Sequence, residues 1–563
     1  MAGRSYPLIQ QPVVFFDCQT TGMNPSNGSL LEIGWAVGNG VEKPSVQSTV
    51  IRQADGVKIP RRIQAITGIS EKDASLGEEL DAAWKKLVSC VPKNALWVIH
   101  YSKFESAFVG KLFERSSPEI ICTYEIARRL LPGLGSHTIR AVCGHLGEPL
   151  SSLKRARDHV ESTAYVWGKM LALLDAQGVK SLKDFKQWYE KTPPLKKGSR
   201  NRTRTYLVES ATRLRLSDSP GTYHLKDCNG TVLYVGKATS LKSRVNSYFR
   251  GRQSKGSRLN EMLAQVADIK VYPAATPLEA ALLENDQIKE IDPPYNKALK
   301  AESRGVFYCD KNFSFVDAQE RPRYGPFSTS AWWTHWVVML EARDKPEVLA
   351  ALLSSESEAI PEPEIVLAGI RILDEKGRFP FRRTPESIRY WLSRGYTERI
   401  ALLKQRRLEA KAALTEPEAA AEEDEEEKTE AVPEWDAARV ARRLLKSCGH
   451  TAFRVHSGRW ARRLCDCVLC YREPKQNAYR ELKFRGGLLV SAKDKKAPRR
   501  SHRCSAAAYS AVSLVTLDRL RVLRTEVLRV LSGGGDAVLQ SAGQAPLGTS
   551  KLKQYLFPGQ FDG

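Results

Sequence analysis

One short stretch, residues 220–237 (PGTYHLKDCNGTVLYVGK), constrains the fold more than any other part of the chain. Two runs rich in β-branched and aromatic residues flank Asn229-Gly230. An Asn-Gly pair between such runs is the strongest short-range signal for a two-residue hairpin turn. The sequence therefore predicts a β-hairpin that places Tyr223 and Tyr234 on paired strands and then leads to Lys237.

A helix is predicted directly after the hairpin, over LKSRVNSYF. Thr239 or Ser240 can serve as its N-cap, since a hydroxyl there accepts from a free backbone N–H of the first turn. Arg244 and Tyr248 are four residues apart and therefore share one face of this helix.

A second helix is predicted over TPLEAALLENDQIKEI. Thr276 is its N-cap and Glu279 follows three residues later, which is the pattern of a capping box. Glu279 therefore has a structural role. Glu284 differs, because it lies one turn from Ala280 and from Ile288, beside a buried stripe where a carboxylate needs a partner or a metal ion.

The side chains gathered in this region are those that phosphodiester hydrolysis requires. A tyrosine can deprotonate water if a nearby cation lowers its pKa. A guanidinium can hold the phosphate as negative charge develops, and a divalent cation bound by a carboxylate can stabilise the leaving oxygen. The alternative is that these side chains only pack in the domain, as tyrosines in strands and an arginine on a helix face usually do.

The same region resembles the GIY-YIG nuclease domain of the excision-repair nuclease UvrC and its shorter relative Cho. GTY (221–223) corresponds to the first triplet of the family motif, and YVG (234–236) corresponds to the second. EAALLENDQIKEIDPPYN (279–296) is similar to the second signature of the family. The resemblance covers roughly residues 218–300.

The resemblance implies a role for each matching residue. The implied catalytic residues are Tyr223, which orients the nucleophile, Tyr234, the general base, Lys237 beside it, Arg244 and Tyr248, which hold the phosphate, and Asn296, which supports the site. Glu284 would bind a single Mg²⁺ or Mn²⁺ ion. Thr222 stands where the family has an apolar residue, and we expect little effect on the chemistry because Thr222 points away from Tyr223 on the strand.

Residues 12–175 have the pattern of an α/β unit, with buried-type strands at PVVFFDC, LLEIGWAV and ALWVIH. FFDCQTTG (15–22) resembles the first motif of the DnaQ-like, or DEDD-type, 3′–5′ exonucleases. WVIHYSKFESAF (97–108) and the segment 123–147 extend this resemblance. Such exonucleases use two metal ions held by four carboxylates, with a histidine as the base.

Several of these exonuclease residues are replaced in this chain. Asp17 stands at the first aspartate, but Gln19 replaces a glutamate and Glu105 occupies the second aspartate position. In the last motif Lys154 falls at the histidine and His159 at the aspartate. We therefore expect a folded domain that is weak or inactive as an exonuclease and still binds a DNA strand or end. An active exonuclease is the alternative.

The predicted fold class is a multidomain α/β protein: an RNase H-like exonuclease-type domain, a small GIY-YIG α/β domain, and a mostly helical or mixed C-terminal region. The predicted bounds are 10–178 for the exonuclease-type domain, 179–212 for a basic linker, 213–300 for the GIY-YIG domain, 301–412 for a mainly helical Cho/UvrC-like extension, 413–435 for an acidic disordered linker and 436–563 for a basic region of unknown fold.

The charge balance favours a polyanionic partner, most often nucleic acid. The chain has 87 Lys and Arg against 64 Asp and Glu, a formal net charge of +23. It shows no secretory signal and no apolar run of about 18 residues, so we expect no membrane span and a cytoplasmic, nucleoid-associated location. The 11 cysteines are expected to be mostly small core residues of a reducing compartment.

Two features of the C-terminal region allow alternative interpretations. CDCVLC (465–470), with Cys448, His450 and His456, allows a zinc site, but we favour buried cysteines on an amphipathic helix RRLCDCVLCYRE. SAKDKKAPRRSHR (491–503) is interpreted as a solvated surface loop, with a DNA-backbone contact as the second interpretation.

The leading hypothesis is a metal-dependent DNA endonuclease that nicks one strand near a lesion in bacterial nucleotide excision repair. The resemblance implies damaged duplex DNA as the substrate and UvrA/UvrB-type damage-recognition proteins as partners. One alternative is a non-catalytic DNA-binding repair scaffold. The other is a dual endonuclease and 3′–5′ exonuclease.

Overall fold

The computed structural model describes most of the chain in two compact units. One unit comprises residues 1–275 with 293–297, and the other comprises residues 276–292 with 298–563. The described residues are 7–54, 57–113, 118–148, 152–194, 204–250, 256–297, 305–320, 322–328, 331–354, 359–413, 434–474, 476–497, 512–542 and 544–556.

A five-stranded mixed sheet, in the order β3-β2-β1-β4-β5, organises the N-terminal domain of the first unit. Its strands are β1 (Val13–Thr20), β2 (Leu30–Gly38), β3 (Val46–Val50), β4 (Leu96–Ile99) and β5 (Ile120–Cys122). Along β1, Val13 and Phe15 face one apolar cluster while Val14 and Phe16 face another. The strand is a continuous apolar run because both faces of the sheet are covered.

Helices cover both faces of this sheet. They are α1 (Arg61–Thr67), α2 (Glu71–Ser75), α3 (Leu80–Cys90), α4 (Ser102–Phe113), α5 (Thr123–Leu130), α6 (Ile139–His145), α7 (Ala156–Asp175) and α8 (Leu182–Lys191). Helix α8 lies in the segment predicted to be linker, which corrects that prediction, because Phe185 and Trp188 pack on the core of the domain. Residues 195–203 of the predicted linker lie outside the described residues.

A three-stranded antiparallel sheet, in the order β7-β6-β8, carries the predicted hairpin. We call this part of the first unit the hairpin domain. Its elements are α9 (Ser210–Leu214), β6 (Gly221–Lys226), β7 (Val232–Ala238), α10 (Leu241–Phe249), α11 (Ser257–Gln265) and β8 (Asp268–Pro273). The hairpin and the helix after it are confirmed, and Ser240 is the N-cap of α10 through its bond from the Ser243 N–H.

The predicted two-residue Asn-Gly turn is wrong. The connection spans residues 227–231, and Gly230, with φ of 80°, is its residue with positive φ. A two-residue type I′ turn needs positive φ at both central positions. Here the Asp227 carboxylate accepts the backbone N–H groups of Asn229 and Thr231, both at 2.9 Å, and so stabilises a longer turn.

The second unit contains two antiparallel sheets, in the orders β10-β9-β11 and β14-β13-β12-β15. The strands are β9 (Phe307–Cys309), β10 (Phe315–Val316), β11 (Tyr324–Phe327), β12 (Cys467–Arg472), β13 (Tyr479–Arg485), β14 (Leu488–Lys495) and β15 (Asp536–Ser541). The helices are α12 (Pro277–Ile291), α13 (Ala331–Glu341), α14 (Pro346–Leu353), α15 (Pro363–Lys376), α16 (Pro385–Ala413), α17 (Ala437–Cys465), α18 (Leu514–Ser532) and α19 (Thr549–Leu556).

The predicted helix RRLCDCVLCYRE is wrong after Cys465, where α17 ends and strand β12 begins. The cysteines are nevertheless buried, as the sequence analysis favoured. Cys448 lies within α17, where its Sγ accepts a hydrogen bond from the Trp336 indole at 3.4 Å.

Two other C-terminal predictions fall partly outside the described residues. The basic segment 491–503 was expected to be a loop, but its first part forms strand β14. The rest of this segment, from residue 498, is outside the described residues, and so is most of the predicted acidic linker, residues 414–433. Within the described ranges, no helix has the length and apolar character that crossing a membrane requires.

Helix α12 is fixed to the second unit by its N-cap and three ion pairs. Thr276 is its N-cap, as predicted, and also bonds the Tyr471 hydroxyl at 2.6 Å. The capping box is incomplete, because Glu279 accepts from the Thr276 hydroxyl and the Arg480 guanidinium instead of the N-cap backbone. The remaining ion pairs are Asp286–Arg519 and Lys289–Asp518.

The Lys289–Asp518 pair gives a test of this packing. The two side chains are only 4% and 9% exposed, with Nζ and Oδ2 2.7 Å apart. Asp518→Ala should lower the free energy of unfolding by about 3 kcal/mol, because it leaves a buried ammonium without its carboxylate. Urea unfolding measures this loss. Asp494→Ala, which breaks an ion pair at an 80% exposed carboxylate, is the control and should change stability by less than about 1 kcal/mol. Equal losses in the two variants would contradict the expectation.

Candidate active site

The three tyrosines predicted for the site form one cluster in the hairpin domain. Tyr223 on β6, Tyr234 on β7 and Tyr248 on α10 have ring centroids 5.9 to 6.4 Å apart. The hydroxyls of Tyr223 and Tyr248 are 2.7 Å apart and hydrogen-bonded. Tyr223 is fully buried, whereas Tyr234 is only half-buried and so can present its hydroxyl to a substrate.

A glycine makes room for this cluster. Gly236 stands opposite Tyr223 in the register of β6 and β7. A Cβ at position 236 would lie 2.3 Å from the Tyr223 hydroxyl oxygen and 2.9 Å from the Tyr234 ring. Any other residue would therefore displace the two tyrosines, which explains physically why the second triplet, YVG, ends in glycine.

Arg244 completes the cluster on its exposed side. Its guanidinium carbon lies 5.2 Å from the centroid of the Tyr248 ring, which confirms that the two residues share a helix face. Burial, followed by the neighbouring Tyr248 and Tyr234, raises the pKa of Tyr223, while Arg244 acts in the opposite direction. Tyr223 is therefore a hydrogen-bonding phenol at neutral pH and is unsuited to act as a base.

Lys237 and Thr222 face each other across the two strands. Lys237 is exposed, and strand alternation starts its side chain on the face opposite to Gly236. Thr222 is fully buried, and its hydroxyl has no hydrogen-bond partner within the described residues. The apolar residue that the family usually has at this position would avoid the free-energy cost of burying a hydroxyl group without a hydrogen bond.

Asn296 closes the free edge of β7. Its carboxamide accepts the backbone N–H of Val235 and donates to the Val235 carbonyl, both at 2.9 Å. The backbone N–H of Tyr295 donates to the Leu233 carbonyl at 3.0 Å, so the segment runs along the strand. Asn296 therefore acts on the site by holding the strand that carries Tyr234.

Glu284, the predicted metal ligand, lies in α12 of the second unit. It is half-buried, and Ala280 and Ile288, one turn away on either side, are buried, as the sequence predicted. Among the described residues, no group of three or more His, Cys, Asp or Glu side chains is arranged to hold a metal ion. Mg²⁺ usually keeps several waters and is bound through one or two carboxylates, so a single glutamate is compatible with holding it.

A polar network joins the N-terminal domain to the segment that holds β7. The Thr138 hydroxyl donates to one Glu261 carboxylate oxygen and the Tyr295 hydroxyl donates to the other, each at 2.8 Å. Gln265 also donates to the Tyr295 hydroxyl, at 2.7 Å. Since Thr138 is the N-cap of α6 and Glu261 lies on α11, this network connects the two domains of the first unit.

Four of the five residues predicted for the exonuclease-type site lie together in the N-terminal domain. The Gln19 amide donates to Asp17 at 2.9 Å, and His159 Nδ1 lies 3.4 Å from the same carboxylate. Burial raises the pKa of Asp17 to about 6. Burial and the Asp17 charge raise the pKa of Glu105 well above its ordinary value. Lys154 is exposed.

Sequence reasoning missed the ion pair that positions His159. Glu32, fully buried in the middle of β2, accepts two N–H groups of the Arg155 guanidinium and the backbone N–H of Ala156. This holds the first turn of α7, and with it His159, against the sheet. The signal was present in LLEIGWAV, because a charged residue in a buried strand requires a partner.

Two family models match the chain in the predicted order. Residues 14–154 match the exonuclease model and residues 219–297 match the UvrC-like GIY-YIG domain model. The predicted resemblances and the predicted succession of two nuclease-type domains are therefore confirmed.

Curated relatives match parts of the chain. A putative bifunctional exonuclease/endonuclease protein of Mycobacterium tuberculosis is 27% identical over 282 residues, which are 48% of this chain and 42% of that protein. The UvrABC system protein C of Alkalilimnicola ehrlichii is 51% identical over 85 residues, which are 15% of this chain and 14% of that protein. The chain thus spans less than half the length of each of these relatives.

Solved structures align with each nuclease-type domain. The magnesium-bound GIY-YIG N-terminal endonuclease domain of UvrC from Thermotoga maritima covers 16% of this chain and 93% of its own, with 26% identity and a TM-score of 0.14. Exonuclease X in complex with 5′-overhanging duplex DNA covers 30% of this chain and 93% of its own, with 19% identity and a TM-score of 0.23.

The close approach at Gly236 predicts the effect of a single methyl group. Gly236→Ala should cost about 2 kcal/mol in stability and displace Tyr223, because the new Cβ overlaps its hydroxyl. Near-ultraviolet circular dichroism and urea unfolding measure the two effects. Gly230→Asn, at a turn position with positive φ and no atom within 4 Å, is the matched control and should change stability by less than 1 kcal/mol. Normal tyrosine dichroism in Gly236→Ala would contradict the prediction.

The raised pKa of Asp17 predicts a dependence of stability on pH. Between its ordinary value of 3.8 and about 6, the folded state binds more protons than the unfolded state, so stability falls as the pH rises through this interval. Asp17→Asn should therefore raise the free energy of unfolding by about 2 kcal/mol at pH 7.5, and by less at pH 4. Urea unfolding in EDTA measures both. Asp175→Asn, at an exposed carboxylate, is the control, and no gain from Asp17→Asn at pH 7.5 would refute the argument.

Proposed function

We propose that this chain, which joins an exonuclease-type domain to a UvrC-like GIY-YIG nuclease domain, is a metal-dependent DNA endonuclease that hydrolyses one strand. The observation that carries the proposal is the cluster of Tyr223, Tyr234, Tyr248 and Arg244 within the residues that match the GIY-YIG model. A scaffold that only binds DNA has no need for this combination.

The geometry supports a distinct role for each side chain. Tyr234, half-buried at the mouth of the cluster, is the candidate to take the proton from the attacking water. Tyr223 remains protonated and orients the cluster through its bond to Tyr248. The exposed guanidinium of Arg244 binds the phosphate as charge develops on its oxygens.

A divalent metal ion fits the carboxylate chemistry of Glu284. This half-buried side chain would hold Mg²⁺ or Mn²⁺, which when bound would stabilise the leaving oxygen. The GIY-YIG N-terminal endonuclease domain of UvrC from Thermotoga maritima is bound to its catalytic divalent cation, magnesium. Glu284 would serve as the protein's anchor for this ion.

The UvrC relatives support a role in DNA repair. We propose that the chain incises damaged duplex DNA in bacterial nucleotide excision repair, together with UvrA/UvrB-type damage-recognition proteins. The UvrABC system proteins that match the GIY-YIG region support both the lesion context and these partners. A cytoplasmic, nucleoid-associated location is part of the same proposal.

The exonuclease-type domain has a positioning role in this proposal. The Gln19 amide donates a hydrogen bond to the Asp17 carboxylate. The network through Glu261 connects the domain to the segment that holds β7. A dual endonuclease and 3′–5′ exonuclease is the second candidate, because the mycobacterial relative is named as putatively bifunctional.

Strand cleavage by three variants tests the proposed function. Tyr234→Phe and Glu284→Ala should each lower the nicking of a lesion-containing duplex in Mg²⁺ or Mn²⁺ by at least about 100-fold, since each removes one required group. Glu290→Ala, at an exposed glutamate of the same helix, is the matched control and should nick like the parent. Nicking is quantified on denaturing gels with each strand labelled in turn.

Two outcomes of this assay would contradict the proposal. Equal nicking by the parent and Glu284→Ala would remove the metal assignment. Absence of nicking in the parent, with UvrA/UvrB-type proteins added, would favour the scaffold. The dual nuclease requires shortening of a labelled 3′ end that survives Tyr234→Phe and disappears in Asp17→Ala.

A further inference from the structure

A cavity of about 470 Å³ in the second unit is lined, among the described residues, by several basic side chains and by no carboxylate. One of its arginines, Arg521, pairs with Asp518 at 3.3 Å. It lies between helices α16, α17 and α18 and strand β11. The basic side chains that line it are Arg399, His450, Arg454, Arg521 and Arg524. The remaining lining residues are apolar, small or hydroxyl-bearing, so we call this site the arginine cavity.

Two of these guanidinium groups converge on a single aromatic ring. The guanidinium carbons of Arg399, from α16, and Arg524, from α18, lie 5.2 and 5.6 Å from the centroid of the Phe453 ring. Arg524 also donates to the Ser457 hydroxyl at 3.0 Å and to the Leu556 carbonyl at 3.2 Å. Three different helices thus bring cationic groups and an aromatic ring to one concave site.

The charges in the arginine cavity repel one another. Burial, and then the charge of Arg399, lowers the pKa of Arg454. Burial, followed by Arg399, Lys446 and Arg454, lowers the pKa of His450. The Nε of Arg399 is buried without a hydrogen-bond partner within the described residues. Folding therefore brings like charges together at a cost, which an anion in the cavity would offset.

The helix that passes beside the cavity is basic along its whole length. Helix α17 has seven arginines and one lysine over 29 residues and no aspartate or glutamate. A smaller neighbouring cavity shares His450 and Arg454 and continues to Lys446 and Arg443. The cationic surface thus extends beyond one pocket as a continuous series of side chains, which matches the repeated charge of a nucleic-acid strand better than a single small anion.

We propose that the arginine cavity binds a phosphate of a single-stranded DNA segment, with neighbouring phosphates along α17. Arginine pairs suit phosphate oxygens because each guanidinium offers several donors in a fixed plane, and the Phe453 ring holds Arg399 and Arg524 close to each other. The inference rests on the proposed function only in taking DNA as the ligand, and it assigns the C-terminal region a binding site separate from the tyrosine cluster.

The test combines DNA affinity with the stability of the free protein. The full chain, in EDTA so that no cleavage occurs, is titrated against a fluorescein-labelled 20-nucleotide single strand by anisotropy at several salt concentrations. Arg399→Gln/Arg454→Gln should weaken binding about 10-fold at 0.1 M salt and lower the slope of log Kd against log salt by 1 to 2. Its melting temperature without DNA should be equal to or higher than that of the parent, because a repulsion has been removed.

Matched variants separate a binding role from a structural one. Arg485→Gln, at an exposed arginine of β13 outside both cavity linings, should change the affinity by less than 2-fold. Arg454→Gln alone, at an exposed side chain, keeps the test valid if the double variant folds poorly, and it should weaken binding about 3-fold. A lower melting temperature in both cavity variants with unchanged DNA affinity would assign a structural role and overturn the proposal.

The source of the phosphate is distinguished by two additional ligands. Inorganic phosphate and deoxyadenosine 5′-monophosphate are tested at millimolar concentration by thermal shift. If either stabilises the parent while the strand binds the parent and the double variant equally, the cavity is a small-anion site and the strand assignment is wrong. If the double variant loses strand binding but the parent never nicks DNA, this inference is preserved and the endonuclease proposal is refuted. If the parent nicks DNA but the double variant binds the strand as the parent does, the endonuclease proposal is preserved and this inference is refuted.

Discussion

Close packing of Tyr223 beneath Gly236 is the contact on which the candidate active site depends. Because β7 has no side chain at this position, the Tyr223 hydroxyl can reach Tyr248 across the sheet. The three rings then form one cluster, and Arg244 and the half-buried Tyr234 remain on its accessible side. Asn296 fixes the outer edge of the same strand. The arrangement of this cluster thus depends on one glycine and one carboxamide.

The two nuclease-type domains differ in whether their charged side chains are buried or exposed. In the N-terminal domain, the buried Asp17 carboxylate is bonded to a glutamine amide and approached by His159, so the local charge is accommodated within the protein. In the hairpin domain, Arg244 is exposed and its charge is available to a ligand. This difference agrees with a proposed division of labour in which one domain cuts DNA and the other positions it.

Local patterns allowed much of the hairpin domain to be predicted. The Ser240 and Thr276 caps and the shared face of Arg244 and Tyr248 each depend on residues within one helical turn. The turn at 227–231 was mispredicted because the Asp227 side chain captures two backbone N–H groups, which outweighs the Asn-Gly preference. The segment CVLCYR was mispredicted because a short apolar run fits a helix or a buried strand equally well.

Long-range contacts could not be predicted from the sequence. The bond between Thr138 and Glu261 joins residues 123 positions apart, and no periodicity reveals it. The same holds for the ion pairs that fix α12, where Lys289 and Asp518 are 229 positions apart. The packing of α12 implies that the C-terminal half supports the helix carrying Glu284. The supporting residues Arg480, Asp518 and Arg519 lie outside residues 219–297, which match the GIY-YIG model.

The junction between α6 and α11 has a practical consequence for dissecting the protein. Ala264 of α11 belongs to the apolar cluster of the N-terminal domain, and Gln265 packs against Gly144 of α6. A fragment that began after the N-terminal domain would carry this apolar surface into water, with Glu261 deprived of its threonine donor. Such a fragment would tend to self-associate. Recombinant versions of the endonuclease half would need polar replacements on α11 before their solution behaviour could be compared with that of the intact chain.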